Sequence, residues 1–170
     1  LLDLKRYPAW GEGTYNGINL SREIRFSIIF SRGCMAFCTF CSSWKVWRGY
    51  RNRKGKLVAD EMEQLVQKYN AKHFAFYDDT LTGNKKEIIT FCKEIIKRKI
   101  NVAIHGTTRV DMVDREMLHW MKKAGFYELA YGIETGSPEM LIKINKKTDL
   151  ERGIQTVKLT RKAGIGISAL

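Results

Sequence analysis

The stretch SRGCMAFCTFC, residues 31–41, places Cys34, Cys38 and Cys41 within eight positions of a chain that has one further cysteine. Thiols this close cannot staple distant segments, so the spacing argues against a disulfide framework and for metal or redox chemistry in a reducing compartment. Immediately upstream, IRFSIIF (residues 24–30) is rich in β-branched and aromatic residues and stops at Ser31-Arg32-Gly33. That composition predicts a buried strand, with the cysteines on the loop that leaves it.

Downstream the pattern alternates. Met62, Leu65, Val66 and Tyr69 lie at i, i+3, i+4 and i+7, one face of a helix, and HFAFY (73–77) is a short apolar strand that runs into Asp78-Asp79. Ile88, Phe91, Cys92 and Ile95 repeat the helical spacing, and a third strand begins at residues 101–104. Asp114 is a natural cap for a helix carrying Met117, Leu118 and Met121, which Gly125 ends before the strand YELAYGIE. Thr148 and Glu151 have the spacing of a capping box for a last helix, closed by Gly164 before IGISAL. The tripeptide KAG marks the helix-to-strand junction twice, at 123–125 and 162–164.

Repeated strand–helix units connect parallel strands, so the expected fold is α/β with a parallel sheet or barrel. The chain stops inside its fifth strand, and a parallel strand buried on both faces is normally followed by a covering element; a longer protein is therefore expected. Residues 1–23 contain Pro8, one of the chain's two prolines, and several glycines without a clear period and read as an N-terminal linker or arm, leaving 24–170 as the core.

Composition is that of a globular domain, with 44% hydrophobic and 28% charged residues. No run approaches the ~18 apolar residues of a membrane span, and the start lacks the order of a signal peptide, so the expectation is a soluble, cytoplasmic protein with no membrane partner. The net charge of +12 attracts phosphate in principle, yet the lysines spread over several helical faces, which suits a solvated surface as well as a nucleic-acid partner. One local cluster, RGYRNRKGK (48–56), is either an anion-holding loop or an exposed one.

In parallel α/β folds the loops at the carboxyl ends of the strands build the site. Here those ends carry Cys34, Cys38 and Cys41, then Asp78, Asp79 and Thr80, then Thr107, Thr108 and Arg109, then Glu134, Thr135, Gly136 and Ser137. Three thiolates suit a soft metal centre, whereas a structural zinc or a closed iron–sulfur cluster takes four. Cys92, on an apolar helical face, reads as core packing, and His73, His105 and His119 have no metal-type pairing. The set of three leaves one coordination position open, as catalytic metal sites do.

CMAFCTFC is Cys-x3-Cys-x-aromatic-Cys, with Phe40 as the aromatic, and resembles the signature of the radical S-adenosylmethionine (SAM) enzymes. SRGC, FYDDTLTGNKK, TTRVDMVDREMLHWMKKAG, YGIETGSPEML and KAGI follow in the order of the branch that carries a cobalamin-binding domain upstream, and LLDLKRYPA resembles that branch's connector. The resemblance implies a partial (βα)6 TIM-like barrel with parallel strands, truncated in or after the fifth. It implies a 4Fe-4S cluster on Cys34, Cys38 and Cys41, with SAM on the fourth iron and cleaved reductively to methionine and a 5′-deoxyadenosyl radical.

By the same resemblance Phe40 packs near the adenine, and Asp78 or Asp79 meets the methionine amino group. Arg109, Arg51 or Arg53 is expected to hold the methionine carboxylate. Gly132 and Glu134 form the strand-four element, and Ser137 either contacts SAM or caps a helix at Pro138. The branch implies a small-molecule substrate, a cobalamin bound by a domain outside this chain, and an external electron donor such as flavodoxin or ferredoxin. Methyl transfer or ring formation is the implied outcome. An RNA-modifying methylthiotransferase is the rival within the enzyme class, and a non-catalytic iron–sulfur or zinc module with a nucleic-acid-binding surface is the rival outside it.

Overall fold

The structure is a computed structural model and describes residues 12–170. The first eleven residues of the expected arm, including the LLDLKRYPA segment, lie outside the described residues. In chain order the elements are β1 (Thr14–Tyr15), β2 (Ile18–Asn19), β3 (Arg25–Ile28), β4 (Ser31–Arg32), α1 (Ser43–Trp47), β5 (Arg51–Asn52), α2 (Gly55–Tyr69) and β6 (His73–Phe76). There follow α3 (Lys85–Lys97), β7 (Ala103–Arg109), α4 (Arg115–Ala124), β8 (Phe126–Gly132), α5 (Pro138–Lys143), α6 (Leu150–Lys162) and β9 (Gly166–Ala169).

Five strands form one parallel sheet in the order β3-β6-β7-β8-β9, so each βα unit places its strand beside the previous one. The α/β expectation therefore holds. Among the described residues the sheet is open, with β3 and β9 as its edges.

One face of this sheet is covered by α2, α3, α4 and α6. Ile28, Phe74, Phe76, Ile104, Phe126, Leu129 and Tyr131 enter a single core with Met62, Ile88, Phe91, Ile95, Leu118 and Met121. The predicted helical stripes are the residues that reach it. Phe91 sits among the rings of Phe30, Phe76 and Phe126, at centroid distances of 5.8, 5.5 and 6.5 Å. Cys92 is fully buried beside it, and burial pushes its thiol well above the ordinary range, as a packing cysteine requires.

The opposite face is polar. A register shift between Ile104 and His105 adds a residue to β8, so that Phe126 and Leu129, three apart, both reach the helix side. Tyr127 and Glu128 consequently turn to the other face. There Tyr127 meets His73 (Oη to Nε2, 3.0 Å), and Glu128 accepts from Ser168 at 2.9 Å and lies 3.6 Å from His105 Nε2. The β1–β2 hairpin packs at the amino ends of these strands, where Ile18 and Leu20 cover Ala103. This part of the expected arm is packed on the domain.

Two helix starts follow their sequence signals, with Asp114 accepting from Met117 N at 2.9 Å and Ser137 accepting from Met140 N at 3.2 Å. The last does not. The capping box expected on Thr148 is corrected: Asp149 is the cap, accepting from Arg152 N at 2.6 Å, and the Thr148 hydroxyl is buried with no hydrogen-bond partner among the described residues. A carboxylate one position on reaches the first-turn amides and makes the stronger, charge-assisted bond. Among the described residues no helix is long and apolar enough to cross a membrane.

Candidate functional site

The cysteine loop leaves β3 at the carboxyl edge of the sheet and is tied down from several sides. Asp78, at the end of β6, is buried and accepts from the amides of Phe30 and Ser31 and from the Ser31 hydroxyl at 2.6 Å. Burial raises its carboxyl above the usual range, and those donors pull it part of the way back. Asp79 is exposed and accepts from Gly33 N at 3.1 Å. Gly33 has φ 84°, and a side chain there would collide with the Gly49 carbonyl oxygen, so the close return of the loop demands glycine.

On the far side, Thr39 N donates to Ile144 O at 3.0 Å, Asn145 Nδ2 to Phe37 O at 2.8 Å, and the Trp44 indole to Cys38 O at 3.2 Å. The short antiparallel pair of β4 with β5 closes the loop behind α1. Segments more than a hundred residues downstream thus fix the same few backbone atoms.

All three thiols are free; Cys38 is buried, and Cys34 and Cys41 are half-buried. Each sulfur has its own donors. Cys34 Sγ lies 3.4 Å from Ala36 N and 3.0 Å from the Thr80 hydroxyl, whose single proton also serves the Asp79 carbonyl at 2.7 Å. Cys41 Sγ lies 3.4 Å from Ser43 N, and Cys38 Sγ lies 3.8 Å from an Arg109 terminal nitrogen. Donors aimed at sulfur stabilise the thiolate, the form that ligates metal. Cys34 also opens onto a cavity of about 730 Å³, shared with Met35, Phe37, Trp44, Lys45, Arg48 and Tyr50.

Among the described residues, no three His, Cys, Asp or Glu side chains converge on a single ion. A tetrahedral zinc needs its donors within about 2.0–2.3 Å of one point. The three thiols are free and each sulfur has a donor, a set whose chemistry suits a thiolate-ligated soft metal centre.

Arg109, a candidate for the methionine carboxylate, has its donors engaged within the chain. The residue is buried; its Nε and one terminal nitrogen clasp Asp111 at 2.9 and 2.7 Å, and that same nitrogen donates to Lys146 O at 2.8 Å. Its remaining arm points at Cys38. Arg53 is likewise committed, to Glu61 at 2.5 Å and to Ile29 O at 3.0 Å. Arg51 donates to Trp47 O at 3.1 Å. Within the basic cluster, Lys54 pairs with Glu87 and Lys56 with Asp60, so much of that charge is neutralised at the start of α2.

At the end of β8 the expected pair is present in an altered form. Glu134, with φ 66°, holds Lys146 Nζ at 2.8 Å, and Lys146 is itself buried. A Cβ on Gly132 would come within 2.9 Å of Glu134 Oε1 and 3.0 Å of Lys146 Nζ, so Gly132 makes room for this ion pair. Ser137 is engaged as the cap of α5. Phe40 is 58% exposed and stacks on nothing among the described residues. Sequence reasoning missed Lys146, which is disguised in the run KINKK, and Asp111, whose Arg-x-Asp spacing from Arg109 was a readable signal.

The sequence profile described as "Radical SAM superfamily" matches residues 28–170. The anaerobic magnesium-protoporphyrin IX monomethyl ester cyclase of Cereibacter sphaeroides is 38% identical over 166 residues, 93% of this chain and 27% of that protein. The cytidylyl-2-hydroxyethylphosphonate methyltransferase of Streptomyces wedmorensis is 31% identical over 142 residues, 81% of this chain and 26% of that protein. The chain thus spans about a quarter of these relatives. In fold it is similar to the cobalamin-dependent SAM radical enzyme OxsB, solved with aqua-cobalamin and SAM, with a TM-score of 0.74 at 24% identity over 86% of this chain and 23% of that one. The cysteine loop on the first parallel strand and the profile match over nearly the whole chain lead to one assignment: the chain belongs to the Radical SAM superfamily of enzymes.

Proposed function

We propose that this chain is the cluster- and SAM-binding core of a cobalamin-linked radical SAM enzyme of the methyltransferase or cyclase kind, acting on a small-molecule substrate. The observation that carries the reading is the loop on which Cys34, Cys38 and Cys41 each have a donor at the sulfur, pinned by the segments that follow β6 and α5. The cobalamin-linked part of the reading is supported by the relatives rather than by a residue of this chain. An external one-electron donor such as flavodoxin or ferredoxin completes it.

In this reading Cys34, Cys38 and Cys41 hold a 4Fe-4S cluster and leave one iron for the amino and carboxylate groups of SAM. The chemistry such a group supplies is one-electron cleavage of SAM to methionine and a 5′-deoxyadenosyl radical. The protein's own part is geometric. Asp79, the exposed member of its pair, would receive the methionine ammonium, while buried Asp78 keeps the loop's first amides fixed. Phe40 offers an exposed apolar ring to the adenine. At the end of β8, Glu134, the more exposed member of its pair, offers an acceptor to the ribose and buried Lys146 fixes it, with Ser137 on the adjacent turn.

The test is anaerobic reconstitution with iron and sulfide, followed by reductant and SAM. About four irons per chain and release of 5′-deoxyadenosine are expected, and Cys34→Ala should abolish both. Full iron loading in Cys34→Ala, or a loaded chain that never cleaves SAM, would sink the reading. A single bound zinc with no iron–sulfur absorbance would favour the non-catalytic module instead.

A further inference from the structure

Resting on the cluster reading above, we propose that Arg109 is a fixed positive charge that raises the reduction potential of the centre ligated by Cys38, and that Asp111 and the Lys146 carbonyl position it there.

The argument begins with where the donors go. Arg109 closes β7 with its side chain 6% exposed, and three of its hydrogen bonds are spent on Asp111 and on Lys146 O, at 2.7 to 2.9 Å. These fix the plane of the guanidinium and leave its other terminal nitrogen directed at Cys38 Sγ, at 3.8 Å. The other two sulfurs receive only neutral donors, backbone amides and the Thr80 hydroxyl. Cys38 is also the buried thiol of the three. Cys38 is therefore the ligand whose sulfur an Arg109 nitrogen touches, in the least solvated part of the loop, and the same charge also acts on Cys34.

The physical consequence follows from charge. A guanidinium keeps its proton in any protein environment, so this charge is permanent. Taking up one electron makes a thiolate-ligated centre more negative, and a nearby buried cation favours that step more than an exposed one would. Asp111, which holds Arg109, opposes it. The nearby Lys146–Glu134 pair carries no net charge at 2.8 Å separation and contributes little. Arg109 and Asp111 should thus act on the potential with opposite signs. An arginine serving merely to tie β7 to the segment after α5 would move stability and leave the potential alone.

The experiment is a potentiometric titration followed by electron paramagnetic resonance, on the anaerobically reconstituted chain without SAM, after iron and sulfide have been counted in each variant. Arg109→Gln should lower the midpoint by the equivalent of a tenfold loss in the reduction equilibrium, about 59 mV for one electron. Arg109→Lys should stay nearer the wild type, and Asp111→Asn should raise the midpoint. Equal midpoints in fully loaded variants, or Arg109→Gln and Asp111→Asn moving in the same direction, would overturn the proposal while leaving the cluster reading intact. A wild-type chain that takes up no iron would overturn the cluster reading and the proposal with it.

Discussion

On its helix side the sheet presents Phe74, Phe76, Phe126, Leu129 and Tyr131 to a closed core, while the other face of the same strands carries His73, His105, Tyr127, Glu128 and Ser168. Apart from the extra residue in β8 the two faces alternate along the strands, so a few ångströms of backbone separate a dry aromatic cluster from a polar layer. On the first, packing fills the space and every side chain contributes to stability. On the second, polar groups are held under partial burial at a cost: burial drives His73 from 6.5 to about 4, and the Nδ1 atoms of His73 and His105 have no hydrogen-bond partner among the described residues. The helix face therefore holds the fold together, while the polar face and its carboxyl rim supply the groups with which chemistry can be done.

The largest test of this contrast is Phe91→Ala. It removes the ring at the centre of the aromatic cluster and should cost about 3–5 kcal/mol in chemical denaturation, with the cysteine loop's iron uptake unaffected in whatever fraction stays folded. A loss below about 1 kcal/mol would mean that the helix face is not the main source of stability.

Next comes His73. Its folded pKa lies below the unfolded value, so its neutral form costs nothing above pH 6.5, and stability falls as pH drops from 6.5 to about 4, where the native state finally binds the proton. The loss at the bottom of that window should be about 3 kcal/mol. Burial is the first cause, with the charges of Arg25 and His105 adding to it. In His73→Gln the drop in stability between pH 7 and pH 4 should shrink by that amount; an unchanged acid limb would show that the polar face tolerates a protonated His73.

The smallest effect is at the rim. Asp149→Ala should cost about 1 kcal/mol through the lost cap of α6, whereas Thr148→Ala should be close to neutral because its hydroxyl has no partner to lose. The reverse ranking would restore the capping box on Thr148 and Glu151.

Much of this molecule was legible locally. Five strands, the helical stripes, the caps at Asp114 and Gly125 and the core role of Cys92 follow from spacing alone, because period and turn chemistry act over a few residues. The candidate site was legible as a set of types rather than as contacts. Asp78 and Asp79 are neighbours with opposite fates, one buried under Ser31 and one exposed, and nothing in the dipeptide distinguishes them. The extra residue in β8 and the cap at Asp149 also escaped, since each depends on what a distant strand or helix leaves to be satisfied.

The amino-acid sequence by itself determined that strands and helices alternate, that three thiols leave the first strand together, and that acidic, basic and glycine residues cluster at the following strand ends. Only the tertiary structure decided that Arg109 faces Cys38 while clasping Asp111, that Lys146 is buried against Glu134, and that Gly132 makes room for them. Periodicity is written in neighbouring residues, whereas the partner of a buried charge is chosen by desolvation. A cation withdrawn from water takes whatever acceptor the fold brings within reach, and here those acceptors come from chain segments up to 71 residues away.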